Sequence, residues 1–279
     1  KSAPVQRAKQ MGAWRMATDP LGALTSSTLG VTDYLDALTA ATELLAESAQ
    51  SAGADAQVPT CPQWTVRDLV AHQGMVHRWA LAAIQGAHAD IDAAELEAEG
   101  RAAADQVSWL RRGSQQLAEA LVEAPQDLEA LVFLKDAPPP RTFWARRQCH
   151  ETTIHAVDAL AAALGRPPNA KQVPISDELA LDGIDELLVG FWQRGRNSPH
   201  TQTHERTLVS AGRRGWLLHS SPEAMRTARF AIKDSDTAYE VDAVISGDPV
   251  DVYLAVWNRG GDVIDSARRL ATWKSTILW

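Results

Sequence analysis

Apolar residues recur at helical spacing from Thr32 to about Ser51, at Leu35, Leu38, Ala41 and Leu45, with Thr42 on the same face and Gly53 ending the run. This predicts a first amphipathic helix. A loop, Val58-Pro59-Thr60-Cys61-Pro62-Gln63-Trp64, then leads to Thr65, and Asp68 three residues on predicts a capping box. In the second helix the apolar stripe is Leu69, Val76, Trp79, Ala80 and Ala83. His72 falls on that stripe, three residues after Leu69 and four before Val76, so it is predicted to point inward and His77 to lie to one side.

Residues Ala87 to Gly100 are rich in Ala and acids, the pattern of a solvated connector or a frayed helix. A third helix is predicted over Arg101 to Glu123, with Val107, Leu110, Leu117 and Leu121 inward. Asp136 to Pro140 breaks the chain, and Thr142 is the expected cap of a fourth helix that runs to Leu164-Gly165, before Pro167-Pro168. Helices of this kind joined by loops predict a four-helix bundle.

Beyond Pro168 the pattern changes. Ser176 caps a further helix to Arg194, with Leu179, Ile184, Leu187, Leu188 and Phe191 apolar, and Arg194 to Glu205 reads as a polar linker. Arg206–Ser210 and Trp216–Ser220 flank Ala211-Gly212-Arg213-Arg214-Gly215 as a hairpin, Ala238–Ser246 alternates as a strand, and Asp248-Pro249 opens a short helix to Trp257. The expected organisation is a tail over 1–20 outside the fold, a helical bundle over 21–170 and a small α+β domain over 171–279. The tail lacks an initiator Met and the apolar core of a signal peptide; a processed start is one reading, and Met11 or Met16 is a candidate natural start.

A hydrophobic content of 45% and a charged content of 22% are those of a soluble globular protein. The net charge of −8 argues against a nucleic-acid backbone or an anionic membrane as partner. No apolar run reaches the roughly 20 residues of a membrane span. Two cysteines, Cys61 and Cys149, are too few for a disulfide framework, which favours a cytoplasmic setting. No Gly-rich phosphate loop or nucleophile elbow is found, and the oligomeric state is not encoded in any motif.

The richest stretch for chemistry is Arg146-Arg147-Gln148-Cys149-His150-Glu151-Thr152-Thr153-Ile154-His155-Ala156-Val157-Asp158. Glu151 and His155, four apart, share one helix face, whereas His150 and His155 do not. A third ligand has to come from elsewhere, and His72 is the candidate. Two His and one carboxylate, with the fourth position open, is a ligand set of a catalytic divalent metal. The plainer alternatives are a core histidine at 72 and a surface ion pair of Glu151 with Arg147. His200 and His204 are a rival pair, but in an irregular stretch with Glu205 as the nearby carboxylate. Cys61 reads as a structural thiol, and Cys149 turns away from the Glu151–His155 face. Trp79 is a candidate pocket wall beside the metal.

Two segments together resemble the mycothiol-dependent maleylpyruvate isomerase family: Cys61-Pro62-Gln63-Trp64-Thr65-Val66-Arg67-Asp68-Leu69-Val70-Ala71-His72, and Phe143-Trp144-Ala145-Arg146-Arg147 through His150-Glu151, His155 and Asp158. Gln63 stands where the family commonly has Gly. The resemblance implies a DinB-like four-helix bundle followed by a sterol-carrier-like α+β domain. It also implies zinc on His72, Glu151 and His155, mycothiol as co-substrate, and a catalytic arginine matched here to Arg259, which would hold a substrate carboxylate. The expected activity is cis-trans isomerisation, or S-transfer from the thiol to a small electrophile. The alternative is a metal-binding ligand sensor or regulatory protein without catalysis. Metal-assisted hydrolysis would need a general base near the open position, and the sequence names none.

Overall fold

The computed structural model describes residues 27–194, 199–232 and 240–276, so the expected tail over 1–20 lies outside the described residues. Helix α1 spans Val31–Ala52 and α2 spans Val66–Ile84, the latter opened by the expected Thr65/Asp68 capping box. The predicted third helix starts five residues later than expected, and the stretch before it, read as a connector or frayed helix, holds a short helix of its own. A short helix α3, Ala93–Ala102, ends before Asp105, and the Asp105 carboxylate accepts from the Ser108 amide to start α4, Gln106–Glu123. That internal N-cap competes with continuation of the helix, which periodicity alone does not reveal.

Helix α5, Pro140–Leu164, starts one turn earlier than its expected Thr142 cap, with Pro139 as N-cap and Pro140 in the first turn, where its missing N–H costs nothing. It ends as expected on Gly165, in a left-handed conformation (φ 68°) that a side chain would strain. Helices α1, α2, α4 and α5 form the bundle, with α5 as its innermost member. Its residues enter all three apolar clusters: Cys149 and Trp144 beside Tyr34 and Leu38, Ala156 and Ala159 beside Leu45 and Leu69, and Ile154 and Val157 beside residues of the second domain. A helix covered on every side cannot display a clean apolar stripe, and its buried polar groups must find partners.

The second domain begins with α6, Asp177–Asp185, capped by Ser176 as expected; the chain continues through a π-helical turn, Glu186–Phe191, and a 3-10 turn, Trp192–Arg194. Strands β1 (Glu205–Ala211) and β2 (Arg214–Ser220) form the expected hairpin, in the register Ala211 opposite Arg214. Strand β3, Met225–Ala231, was not foreseen, because most of its residues are at least partly exposed and give no apolar alternation. The strand expected over Ala238–Ser246 is β4, Ala243–Gly247; positions 238 and 239 lie outside the described residues. Helix α7 (Pro249–Val256), β5 (Ile264–Asp265) and α8 (Arg269–Thr276) complete the chain. Sheet order is β3-β2-β1-β4-β5, with β1 and β4 parallel and the other pairs antiparallel. A helical bundle followed by a small mixed α+β domain is therefore the architecture.

Helix α6 lies hard against α5 and α7. A Cβ on Gly183 would sit 2.2 Å from the Tyr253 ring and 2.8 Å from the His150 ring, so only glycine permits this approach. No helix among the described residues is long and apolar enough to cross a membrane.

Candidate metal centre

Three side chains from two helices converge. His72 of α2 and His155 of α5 direct Nε2 at the same oxygen of Glu151: His72 lies 3.8 Å and His155 3.4 Å from Glu151 Oε1. One ligand atom from each of the three lies within 4.8 Å of the others. Bond lengths of about 2.0–2.2 Å to a tetrahedral ion place ligand atoms roughly 3.3–3.6 Å apart. The two spacings to Glu151 Oε1 are close to that. The donor set and its geometry thus fit a zinc-sized cation, and among the described residues this is the one such cluster.

The histidine tautomer is fixed from behind. His155 Nδ1 lies 2.9 Å from Asp158 Oδ2, so an Nδ1–H donates to the carboxylate, and Nε2, which faces Glu151 and His72, is the nitrogen that would give up its proton to hold an ion. Asp158 is wholly buried and heavily held. It accepts Arg259 Nε at 2.8 Å and Arg259 Nη2 at 2.9 Å, together with Thr60 Oγ1 at 2.6 Å, and Cys61 Sγ lies 3.6 Å away. Burial pushes the Asp158 carboxyl up, but the Arg259 charge and the hydrogen bonds from His155 and Arg259 outweigh it and hold it well below the usual range. Withdrawal from water likewise works against the charged forms of Glu151 and His155. Hydrogen bonds from His155 and His72 nevertheless keep Glu151 ionised, and those to Asp158 and Glu151 raise His155 to about 9.

Trp64 roofs the cluster, its ring centroid 4.7 Å from that of His72 and 5.7 Å from that of His155. The loop carrying it is pinned by Val58 N–H to the Trp64 carbonyl and by an isolated bridge between Gln57 and Thr65. Trp79, the expected wall, instead packs with Phe133 and Trp144 in the apolar cluster beneath.

The expected orientations of the two α2 histidines are reversed. His77 is wholly buried, with Nε2 2.9 Å from both Thr152 Oγ1 and Gln73 Nε2. The His72 side chain stays 23% exposed at the edge of the buried arc. The arc is wide because α2 packs on α5 and α4 at once, so Gln73, His77 and Ala80 mark its middle and not the Leu69–Val76 line. The two oxygens of Glu151 face different neighbours: Oε1 lies towards the histidines, and Oε2 accepts Arg147 Nη2 at 2.9 Å, an ion pair with a buried arginine and not the surface pair expected.

Arg259 is also committed. Beyond its two bonds to Asp158, Nη1 donates to the Trp257 carbonyl at 2.8 Å and Nη2 lies 3.4 Å from Cys61 Sγ. Its fork is spent on Asp158 and not presented to the open face. Cys61 is a neutral thiol, pushed up to about 12 by burial and by the Asp158 charge. Cys149 is buried on the face away from the cluster, as expected. His204 of the rival pair stacks on His219, with Nδ1 to Nε2 at 3.3 Å, and belongs to no metal-holding group among the described residues. Sequence reasoning missed the Thr60–Asp158–Arg259 linkage; the one available signal was Asp158 three residues after His155, the spacing of a same-face partner.

The family model of the mycothiol maleylpyruvate isomerase N-terminal domain matches residues 35–160, and that of the MDMPI C-terminal domain matches residues 178–272. A crystal structure of a histidine-to-alanine mutant of mycothiol-dependent maleylpyruvate isomerase is similar in fold. Its TM-score is 0.59 at 15% identity, over 87% of this chain and 95% of that one. No curated protein matches the chain.

Proposed function

The chain belongs to the mycothiol maleylpyruvate isomerase family, carrying both of its domains, and from that premise we propose that it is a zinc- and mycothiol-dependent enzyme acting on a small electrophilic substrate. The observation that carries this reading is the convergence of His72, Glu151 and His155 within 4.8 Å of one another, with one of the two histidines backed by a buried carboxylate. These three residues would hold the ion and leave its fourth position open. When bound, zinc supplies Lewis acidity that keeps a coordinated thiol ionised at neutral pH.

The residues around it do the orienting. Asp158 holds the His155 ring and its tautomer, and Arg259 holds Asp158 through both of its oxygens. Arg259 thus serves as a positioning residue, and a substrate carboxylate would have to displace Asp158 to take its fork. Trp64 covers one side of the site and limits the water that reaches the thiol. For isomerisation, the mycothiol thiolate adds to an activated cis double bond. The resulting single bond rotates, and elimination returns the thiolate with the trans alkene. For S-transfer the same thiolate displaces a leaving group and remains attached. Family membership and the soluble-type composition support isomerisation of a small carboxylate-bearing substrate in the cytoplasm as the first reading.

Purified protein is expected to hold about one zinc per chain, and His72→Ala to lose most of it by elemental analysis. Full zinc retention in that variant would reject the site. Turnover of maleylpyruvate with mycothiol, compared with consumption of a model electrophile, then chooses between isomerase and S-transferase. Zinc binding without either activity would leave the sensor reading.

A further inference from the structure

Arg147 sits between two carboxylates. Its Nη2 donates to Glu151 Oε2 at 2.9 Å, and its Nη1 donates to Glu186 Oε2 from the second domain. The guanidinium is almost wholly enclosed, 5.0 Å from the centroid of the Phe191 ring and 5.5 Å from that of Trp257, so it cannot swing into solvent. Glu186 is fully buried, and its second oxygen, Oε1, has no hydrogen-bond partner among the described residues. Burying a carboxylate costs several kcal/mol. Arg147 already has a counter-ion in Glu151, so a second acid is not needed to neutralise it. Glu186 also opens the π-helical turn, a distortion of the helix frequent at functional positions.

We propose that Glu186, acting through Arg147, makes Glu151 present a single oxygen to the metal, and so couples the second domain to the state of the site. The inference rests on the metal reading above. With Glu186 in place, Arg147 is pulled from both sides and takes only Oε2 of Glu151; Oε1 stays with the two histidines. Without Glu186, the enclosed guanidinium keeps its charge and has Glu151 as its remaining acid, so it draws both oxygens away from the ion. Glu186 is a positioning residue at one remove, contacting neither metal nor substrate.

Zinc affinity, measured on the full chain by competition with a chromophoric chelator, tests this without recourse to activity. Glu186→Gln is expected to weaken zinc binding about 10–100-fold, the usual cost of losing an outer partner of a metal ligand. In an Arg147→Met background the same substitution is expected to change affinity less than about twofold, because the intermediary is gone. A folded Glu186→Gln protein that binds zinc as tightly as the parent overturns the proposal. So does a loss that persists undiminished when residue 147 is Met. Should Glu186→Gln not fold, Glu186→Asp keeps the charge and shortens the reach; it is expected to weaken zinc in the same direction, and unchanged affinity there is equally fatal. If His72→Ala retains its zinc, the metal reading itself has failed; if it loses zinc while the Glu186 variants do not, the coupling alone has failed.

Discussion

Helix α5 carries two histidine–carboxylate clusters on different faces, and only one is built like a site. On one face His150 Nε2 lies 2.7 Å from Asp182 Oδ2, which also accepts Arg146 Nε at 2.9 Å; Arg229 pairs with Asp185 at 2.8 Å. Two buried acids meet two guanidiniums there, Arg229 reaching the exposed Asp136 as well, and His150 and Asp182 are sealed from water. On the other face Glu151, Asp158 and Glu186 meet Arg147 and Arg259, so three carboxylates share two guanidiniums. One negative charge is left over beside two imidazoles that are 9% and 23% exposed. A proton on His155 balances it, as would a divalent cation carrying one bound thiolate, whereas the other face needs neither. Charge deficit with partial access separates a binding site from a lock between domains.

The largest expected effect falls on the lock. Asp182→Ala strands Arg146 and His150 in the interior and is expected to cost about 3–5 kcal/mol in denaturant unfolding, with zinc binding changed only as far as folding fails. His155→Ala should act first on the metal: zinc affinity falls at least about a hundredfold, while the metal-free protein loses the imidazolium that faces Glu151 and Asp158 and is destabilised less than by Asp182→Ala, which strands two buried partners. Should the two variants lose stability equally, the contrast between lock and site collapses. Asp158→Asn comes next. It keeps the shape but removes the charge behind His155, and zinc affinity is expected to drop about 10–100-fold.

How far this was legible in the sequence depends on how local each feature is. The helices α1, α2 and α5, the Thr65/Asp68 cap and the Gly165 stop follow from short-range patterns and stand in the structure. Glu151 and His155 follow from helical spacing, and His72 was a candidate third ligand that the family resemblance matched. What remained hidden is long-range. The Arg147–Glu186 and Arg259–Asp158 pairs join residues 39 and 101 apart in sequence. The apolar stripe misjudged His77 because a helix with neighbours on two sides buries more than one line of residues. Strand β3 was lost because its residues are mostly half-exposed.

The smallest effect separates the buried imidazoles that face an acid from His77, which faces a hydroxyl and an amide. His77 is buried against Thr152 and Gln73, and burial lowers its pKa from 6.5 to about 3. The folded state therefore favours the neutral ring: the stability it contributes is full above pH 6.5 and drains as pH falls towards 3. His155 has the opposite sign, raised to about 9, so its contribution is lost only as pH rises through 9 and is constant below 6.5. Asp182, depressed below 3.8, holds its contribution until pH falls under that value. Between pH 6 and 4.5, then, the metal-free protein should lose up to about 1.4 kcal/mol per pH unit through His77. Denaturant midpoints measured across that interval should show the slope in the parent and a flatter line in His77→Gln. Equal slopes in the two proteins would mean that His77 is not the group that titrates, and that acid sensitivity belongs to one of the carboxylate clusters instead.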